Sequence, residues 1–331
     1  MQDLAALFDK LPPPSAGGGP ERFAAVPIPG CDHHRIGKDV AGLPCFLIAA
    51  VDHAALTPAP IKLENISVDY DLDCRVSQPG HGADEARLTV VRCRTSEAPL
   101  HSLFLRIIGP LTLALGSEPS RAEVARAIAS VVDLFQALRE PSQKSLQGLW
   151  AELFLIAGAS DPLLLLNAWH IAPDDRCDFS AGRERIEVKS ASGRVRQHYF
   201  SLEQLSPPTG THLLVASLFV ERAGAGTSLE DLISAVSQRI TDSPQLLERV
   251  NRLTFMALGS NWQAALDERF DLELAQESLA FFASDAVPKP SKELPAGVTD
   301  VRFRSDLSGQ RSVDSSGMLA SSGLFRAALP R

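Results

Sequence analysis

Apolar and polar positions change rhythm near residue 120. From Phe23 to Leu115, short apolar runs (GLPCFLIAAV, NISVDYDLDC, RLTVVRCR and HSLFLRIIG) are separated by Pro, Gly, Asp and Asn, the punctuation expected between antiparallel strands. The pattern predicts a mostly antiparallel β domain over 20 to 116. Ahead of it, a short helix-like start runs into LPPPSAGGGPE, a loop or arm of chain-breaking residues. After Ser120 the period lengthens. Val124, Ala127, Ile128, Val131, Val132, Phe135 and Leu138 recur at helical intervals, behind the capping-box spacing of Ser120 and Glu123. A helix over 121 to 139 follows.

A second helix is expected over KSLQGLWAELFLIA (144 to 157). Strand-like LLLLNAWH (163 to 170), a loop to Asp178, strand-like ERIEVKSA (184 to 191), a short helix after Ser201 and strand-like THLLVASLFV (211 to 220) come next. A helix from Leu229 to Ile240, another beyond Ser243, a hairpin across FDLELAQESLAFFA and a tail rich in Pro, Ser and Gly complete the order. Strands alternating with helices predict an α/β fold with a mixed sheet flanked by helices. The expected organisation is a β-rich domain over 1–118, an α/β domain over 119–285, and a partly irregular tail over 286–331.

Composition narrows the function. A chain of 331 residues, 45% hydrophobic and 22% charged, suits two folded domains. Cys31, Cys45, Cys74, Cys93 and Cys177 are odd in number and scattered, which suits a reducing compartment rather than a disulfide framework. With neither a signal-like start nor a long uninterrupted apolar run, a cytoplasmic protein without a membrane partner is expected. The net charge of -8 excludes a simple nucleic-acid-coating protein, which carries a basic footprint. A nuclease needs only a local basic path, because its metal ions supply positive charge at the phosphate. No G-x-S-x-G, H-E-x-x-H or dinucleotide fingerprint occurs.

In Glu184–Ala191, period-two alternation sets Ile186 and Val188 on one face and Glu187 and Lys189 on the other. The apolar face can pack on a helix while acid and amine share the opposite face. Alone, the triplet reads as a same-face salt bridge worth about 0 to 1 kcal/mol. Asp178, nine residues upstream of Glu187, changes this, because a hairpin across that distance sets a second carboxylate beside Glu187. Two convergent acids suit a hard divalent cation, and a lysine beside them can orient or deprotonate water.

This pattern resembles the PD-(D/E)XK nuclease superfamily. The segments GLWAEL (148 to 153), WHI (169 to 171), DF (178 to 179), IEVKS (186 to 190) and RQHYFSLEQL (196 to 205) are similar to those of the bacterial group called PD-(D/E)XK motif proteins, long catalogued as a domain of unknown function. The resemblance covers roughly 20 to 285. It implies a restriction-endonuclease-like core, Mg²⁺-dependent cleavage of DNA with Mn²⁺ as substitute, and a setting among restriction and phage-defence proteins. A homodimer is compatible with the two cuts a duplex needs. The other expectation is a catalytically silent nuclease-like subunit that binds DNA or a defence partner.

Under that resemblance Asp178 and Glu187 hold metal, Glu152 supplies a further acid from the preceding helix, and Lys189 assists the nucleophile. Glu152 also stands out by itself, since Leu149, Leu155 and Ile156 share its helix face and a carboxylate among apolar neighbours needs a partner when buried. Pro173-Asp174-Asp175 reads literally as the motif's first half, so Asp175 stands as the alternative to Asp178. Gln197, His198 and Gln204 are candidate secondary residues. Gln204 also has capping-box spacing from Ser201, and His198 could be a partly buried histidine without a chemical role. Arg183, Arg185, Arg194 and Arg196 form the densest basic patch with Lys189, a candidate phosphate contact. Trp150, Trp169 and Trp262 are expected to fill cores.

Overall fold

The computed structural model describes residues 4–15, 17–51, 57–170, 176–290, 297–319, 321 and 323–331. The chain divides into two compact units, Met1–Arg139 with Ser243–Arg252, and Glu140–Asp242 with Leu253–Arg331.

In the first unit, β1 (Glu21–Ile28), β2 (Cys31–Lys38), β3 (Pro44–Ile48), β4 (Ile61–Lys62), β5 (Ile66–Ser77) and β6 (Ala83–Cys93) join in the order β1-β2-β3-β6-β5-β4. These neighbours are antiparallel. β1 also pairs in parallel with β5, Glu21 to Ala24 against Cys74 to Ser77, so the sheet closes on itself over that stretch, while β4 stays an edge strand. Alternate residues Phe23, Ala25, Cys45, Leu47, Cys74, Val76, Leu88 and Val90 meet in one buried cluster, which explains the period of two. Gly37 is required where β2 approaches β1: a Cβ there would lie 2.6 Å from the Ala24 carbonyl oxygen.

Three helices accompany this sheet: α1 (Leu4–Asp9), α2 (Ala98–Leu115) and α3 (Arg121–Ala137). The run HSLFLRIIG, expected as a strand, lies inside α2. Its apolar residues cover more than one helix face, leaving no period to read, and Pro99 in the first turn starts the helix without losing a hydrogen bond. By length and composition α2 could cross a membrane, yet Leu103, Phe104, Ile107, Ile108 and Leu111 are buried in the fold. The capping box of Ser120 and Glu123 forms as expected. Phe135 of α3 packs edge-on against Phe104 of α2, centroids 6.2 Å apart. The division between units therefore falls after Arg139 rather than at 118/119.

The second unit contains α4 (Leu146–Gly158), α5 (Pro162–Ala168), β7 (Phe179–Ala181), β8 (Glu184–Ala191), β9 (Gln197–Ser201), β10 (His212–Phe219), β11 (Arg222–Ser228) and α6 (Leu229–Arg239). After α7 (Pro244–Leu258), whose residues to Arg252 group with the first unit, come α8 (Trp262–Leu266), β12 (Arg269–Phe270), α9 (Leu272–Ser278), β13 (Ala280–Ala283), β14 (Arg302–Asp306), α10 (Ser315–Leu319) and α11 (Leu324–Ala327). The main sheet runs β13-β10-β8-β7, with β8 and β10 parallel and the outer pairs antiparallel. The architecture is mixed α/β.

Three expectations are corrected in this unit. LLLLNAWH is largely helix α5, because Asp161 caps it by accepting from Leu164 N at 3.1 Å and Pro162 fits its first turn. Ser201 opens a turn, not a helix. FDLELAQESLAFFA is no hairpin: Asp271 caps α9 within it, while β12 pairs with β11 and β13 with β10. The tail is partly irregular, as expected, but carries three short elements that dock on the unit. β14 pairs with β9, Leu307, Met318 and Leu324 are buried, and Glu184 accepts from Ser321 Oγ and from Phe325 N at 3.0 Å.

Candidate active site

Strand pairing and a tight turn position the first two acids. β7 and β8 form a hairpin, Phe179 opposite Ile186 and Ala181 opposite Glu184, turned by Gly182 at φ +53°, a region glycine enters without penalty. One residue beyond the paired positions, Asp178 faces Glu187. Its backbone carbonyl accepts from His170 N at 2.8 Å, and its Oδ2 accepts from Val188 N at 2.8 Å. Asp175, the alternative to Asp178, lies outside the described residues.

Alternation along β8 turns Glu187 and Lys189 to the face where Val215 of β10, the register partner of Glu187, joins Cys177, Phe200, Leu205, Leu213 and Phe282 in an apolar cluster. Glu187 is therefore buried, 4% exposed. Its Oε1 accepts from Lys189 Nζ at 2.7 Å and from Gln204 Nε2 at 3.1 Å. The Lys189 ammonium also lies 5.3 Å from the centre of the Phe200 ring.

The third acid comes from α4, which Ser145 caps by accepting from Gly148 N at 3.1 Å. Glu152 sits two turns in and is also 4% exposed. Its Oε2 accepts from Trp169 Nε1 at 2.7 Å. Its Oε1 accepts from Lys144 Nζ at 2.6 Å, and the same ammonium donates to Asp178 Oδ1 at 2.8 Å. Lys144 thus bridges two of the acids.

Three carboxylates face two ammonium groups in this cluster. Burial, then the negative charge of Asp178, pushes both Glu152 and Glu187 well above the usual carboxylate range; Lys144 and Trp169 on one side and Lys189 on the other pull them back. Burial works against the charge on Lys144, but Asp178 and Glu152 overrule it and hold its pKa above the ordinary lysine value. With one ammonium shared between Glu152 and Asp178 and the other on Glu187, three ionised carboxylates exceed the two ammonium groups by one charge. Such an excess favours the protonated form of the buried acids.

Hard carboxylate oxygens suit a divalent cation, and Asp178 and Glu187 offer them on adjacent strands. Among the described residues, however, no group of three or more His, Cys, Asp and Glu side chains gathers closely enough to hold a metal ion. The donor set fits through the carboxylates of Asp178 and Glu187, with Lys144 paired to both Asp178 and Glu152.

The secondary candidates separate. Gln204 exchanges reciprocal hydrogen bonds of 3.1 Å with Ser201, as capping-box spacing allows though a turn and not a helix follows, and directs its amide to Glu187. Gln197 is exposed and bonds Asp306 at 3.1 Å. His198 is buried and lies 2.8 Å from Ser217 Oγ. Of the basic patch, Arg183 is exposed at the turn, and Arg194 is 74% exposed with Glu221 at 3.8 Å. Arg185 folds back on the Gly182 and Glu184 carbonyls. Arg196 braces the interior, donating to Ser217 O at 2.7 Å and to Ser278 O and lying 4.8 Å from the Phe219 ring. Arg183 and Arg194 are the two left open to a phosphate.

Sequence reasoning missed Lys144 and Trp169. Lys144 sits in a polar connection with no local signal. Trp169 was legible in part, since a buried indole N–H requires an acceptor.

His198 gives the unit a pH-dependent weakness. Burial, then the charges of Lys189 and Arg196, lowers its pKa to about 4, so the folded state holds it neutral. A depressed histidine leaves stability intact above its unfolded pKa and takes it away as pH falls toward the folded one. Glu152 and Glu187, held above the carboxylate range, work in the opposite direction over the same window, so the histidine's share, about 2 kcal/mol lost between about pH 7 and pH 5, is expected as the difference between the urea titrations of wild type and His198→Gln.

Residues 4–308 match the model of a protein family described as "Putative PD-(D/E)XK family member, (DUF4420)". No curated protein and no solved structure matches the chain.

Proposed function

The chain belongs to this PD-(D/E)XK family, and from that premise we propose that it is a Mg²⁺-dependent nuclease hydrolysing DNA phosphodiester bonds, with Mn²⁺ able to substitute. The observation that carries the reading is the hairpin that sets Asp178 across from Glu187 with Lys189 on the same face. Asp178 and Glu187 would hold the ion, which supplies Lewis-acid charge at the phosphate and lowers the pKa of bound water.

The chain's own groups divide the remaining work. Gln204 and Lys189 fix the Glu187 carboxylate, and Val188 N fixes that of Asp178. Lys189 presents an ammonium that orients the attacking water or neutralises charge growing on the phosphate. Phe200 and its apolar neighbours keep bulk water from the inner side of Glu187. Arg183 and Arg194 are the proposed contacts to the DNA backbone. The proposed core is restriction-endonuclease-like, and the proposed setting is restriction or phage defence in the cytoplasm.

One observation favours the silent alternative, a nuclease-like binding subunit: Lys144 already pairs with both Glu152 and Asp178. Incubation with plasmid, linear and single-stranded DNA in Mg²⁺ or Mn²⁺ separates the two. Cleavage by wild type, lost in Asp178→Ala, is the expected result. Absence of cleavage, together with no more thermal stabilisation by Mn²⁺ than Asp178→Ala shows, overturns the enzyme reading.

A further inference from the structure

The Glu, Asp, Glu-x-Lys pattern does not account for one charged group in this cluster. Lys144 lies on the irregular segment ahead of α4, one residue before the Ser145 cap. Its side chain is 20% exposed, against 5% for Glu152 and 14% for Asp178, so it is the outermost member of both pairs. We propose that Lys144 is an internal counter-ion competing with the divalent ion for Glu152 and Asp178, so that release of its ammonium sets the metal affinity of the site. The proposal rests on reading this site as metal-binding.

The oxygens decide the matter. Glu152 Oε2 is committed to the indole N–H of Trp169, and Asp178 Oδ2 to the backbone N–H of Val188. Both donors belong to the folded framework. The remaining oxygens, Glu152 Oε1 and Asp178 Oδ1, are the two that Lys144 holds. A cation approaching these acids therefore meets lone pairs already used by an ammonium. It removes a flexible, strongly hydrated point charge carried on a loop, and α4 can stay folded when that side chain swings away. Lys189 differs. It belongs to a strand and shares Glu187 Oε1 with Gln204, while Glu187 Oε2 accepts no hydrogen bond among the described residues.

A lysine serving only stability would weaken the fold when removed and leave metal affinity alone or reduce it. A competing counter-ion has the opposite signature. Calorimetric titration of Mn²⁺ into the full chain, without DNA, is expected to show Lys144→Met and Lys144→Gln binding about tenfold or more tightly than wild type, because a buried ion pair no longer has to be broken. Lys144→Arg, which keeps the charge, is expected to gain nothing, and Asp178→Ala is expected to abolish binding in every background. On the wild-type chain, saturating Mn²⁺ should raise the rate at which an amine-reactive reagent modifies Lys144, read by mass spectrometry; this measurement needs no folded variant. If wild type binds Mn²⁺ through Asp178 but neither neutral variant binds more tightly, or if Lys144 reactivity is unchanged at saturation, the counter-ion is overturned and the metal site stands. If neither wild type nor the neutral variants bind Mn²⁺, both fall together.

Discussion

Lys189→Ala is expected to slow metal-dependent DNA cleavage by about 10² to 10⁴-fold, the range of a positioned proton-transfer or charge-stabilising group. Its ammonium lies 2.7 Å from Glu187 Oε1 and shares the face of β8 that carries this acid. Removing it leaves Glu187 with Gln204 as a hydrogen-bond partner, so the strand and the carboxylate stay in place while the mobile positive charge is lost. Mn²⁺ affinity is therefore expected to persist in Lys189→Ala, and the deficit to lie in the turnover rate. Lys189→Arg retains charge in a planar, larger group and is expected to recover only part of the rate. Equal cleavage by wild type and Lys189→Ala, measured on the same plasmid substrate, would remove Lys189 from the reaction.

How much of this site the sequence discloses depends on how local each contact is. Asp178 and Glu187 are nine residues apart, and one two-strand hairpin brings them together; spacing and alternation suffice to read it. Glu152 announces itself as an acid on an apolar helix face, and the fold places it at 4% exposure. Lys144 leaves no such trace, since its partnership with Asp178 spans 34 residues of chain and arises only when α4 packs beside the hairpin. Elements with one clear face, such as α3 and β8, were legible for the same reason. The runs HSLFLRIIG and LLLLNAWH were not, because a segment apolar on every side carries no period. β14 was missed for the opposite reason: RFRSD offers one apolar residue, and β9 gives it a partner about a hundred positions away. The parallel pairing of β1 with β5 is likewise a long-range contact that no local pattern encodes.

Trp169→Ala is expected to produce the largest loss of stability near the site, about 3 to 5 kcal/mol from the cavity alone. Trp169 is fully buried, and its Nε1 donates to Glu152 Oε2 at 2.7 Å. The truncation therefore has a second effect: it strips a fixed partner from a carboxylate that burial already drives toward its neutral form. Trp169→Phe narrows the contrast, since it keeps an aromatic ring in the pocket and loses the N–H with only part of the indole volume, and is expected to cost less than Trp169→Ala, about 1 to 3 kcal/mol. The chain's three tryptophans, Trp150, Trp169 and Trp262, all lie in the second unit. Tryptophan fluorescence, excited apart from Tyr70 of the first unit, therefore reports on that unit during urea unfolding, and Trp150 and Trp262 remain as reporters in both variants. If Trp169→Phe matches wild type in stability, the indole N–H is dispensable to Glu152, and the acid's place in the cluster rests on Lys144 alone.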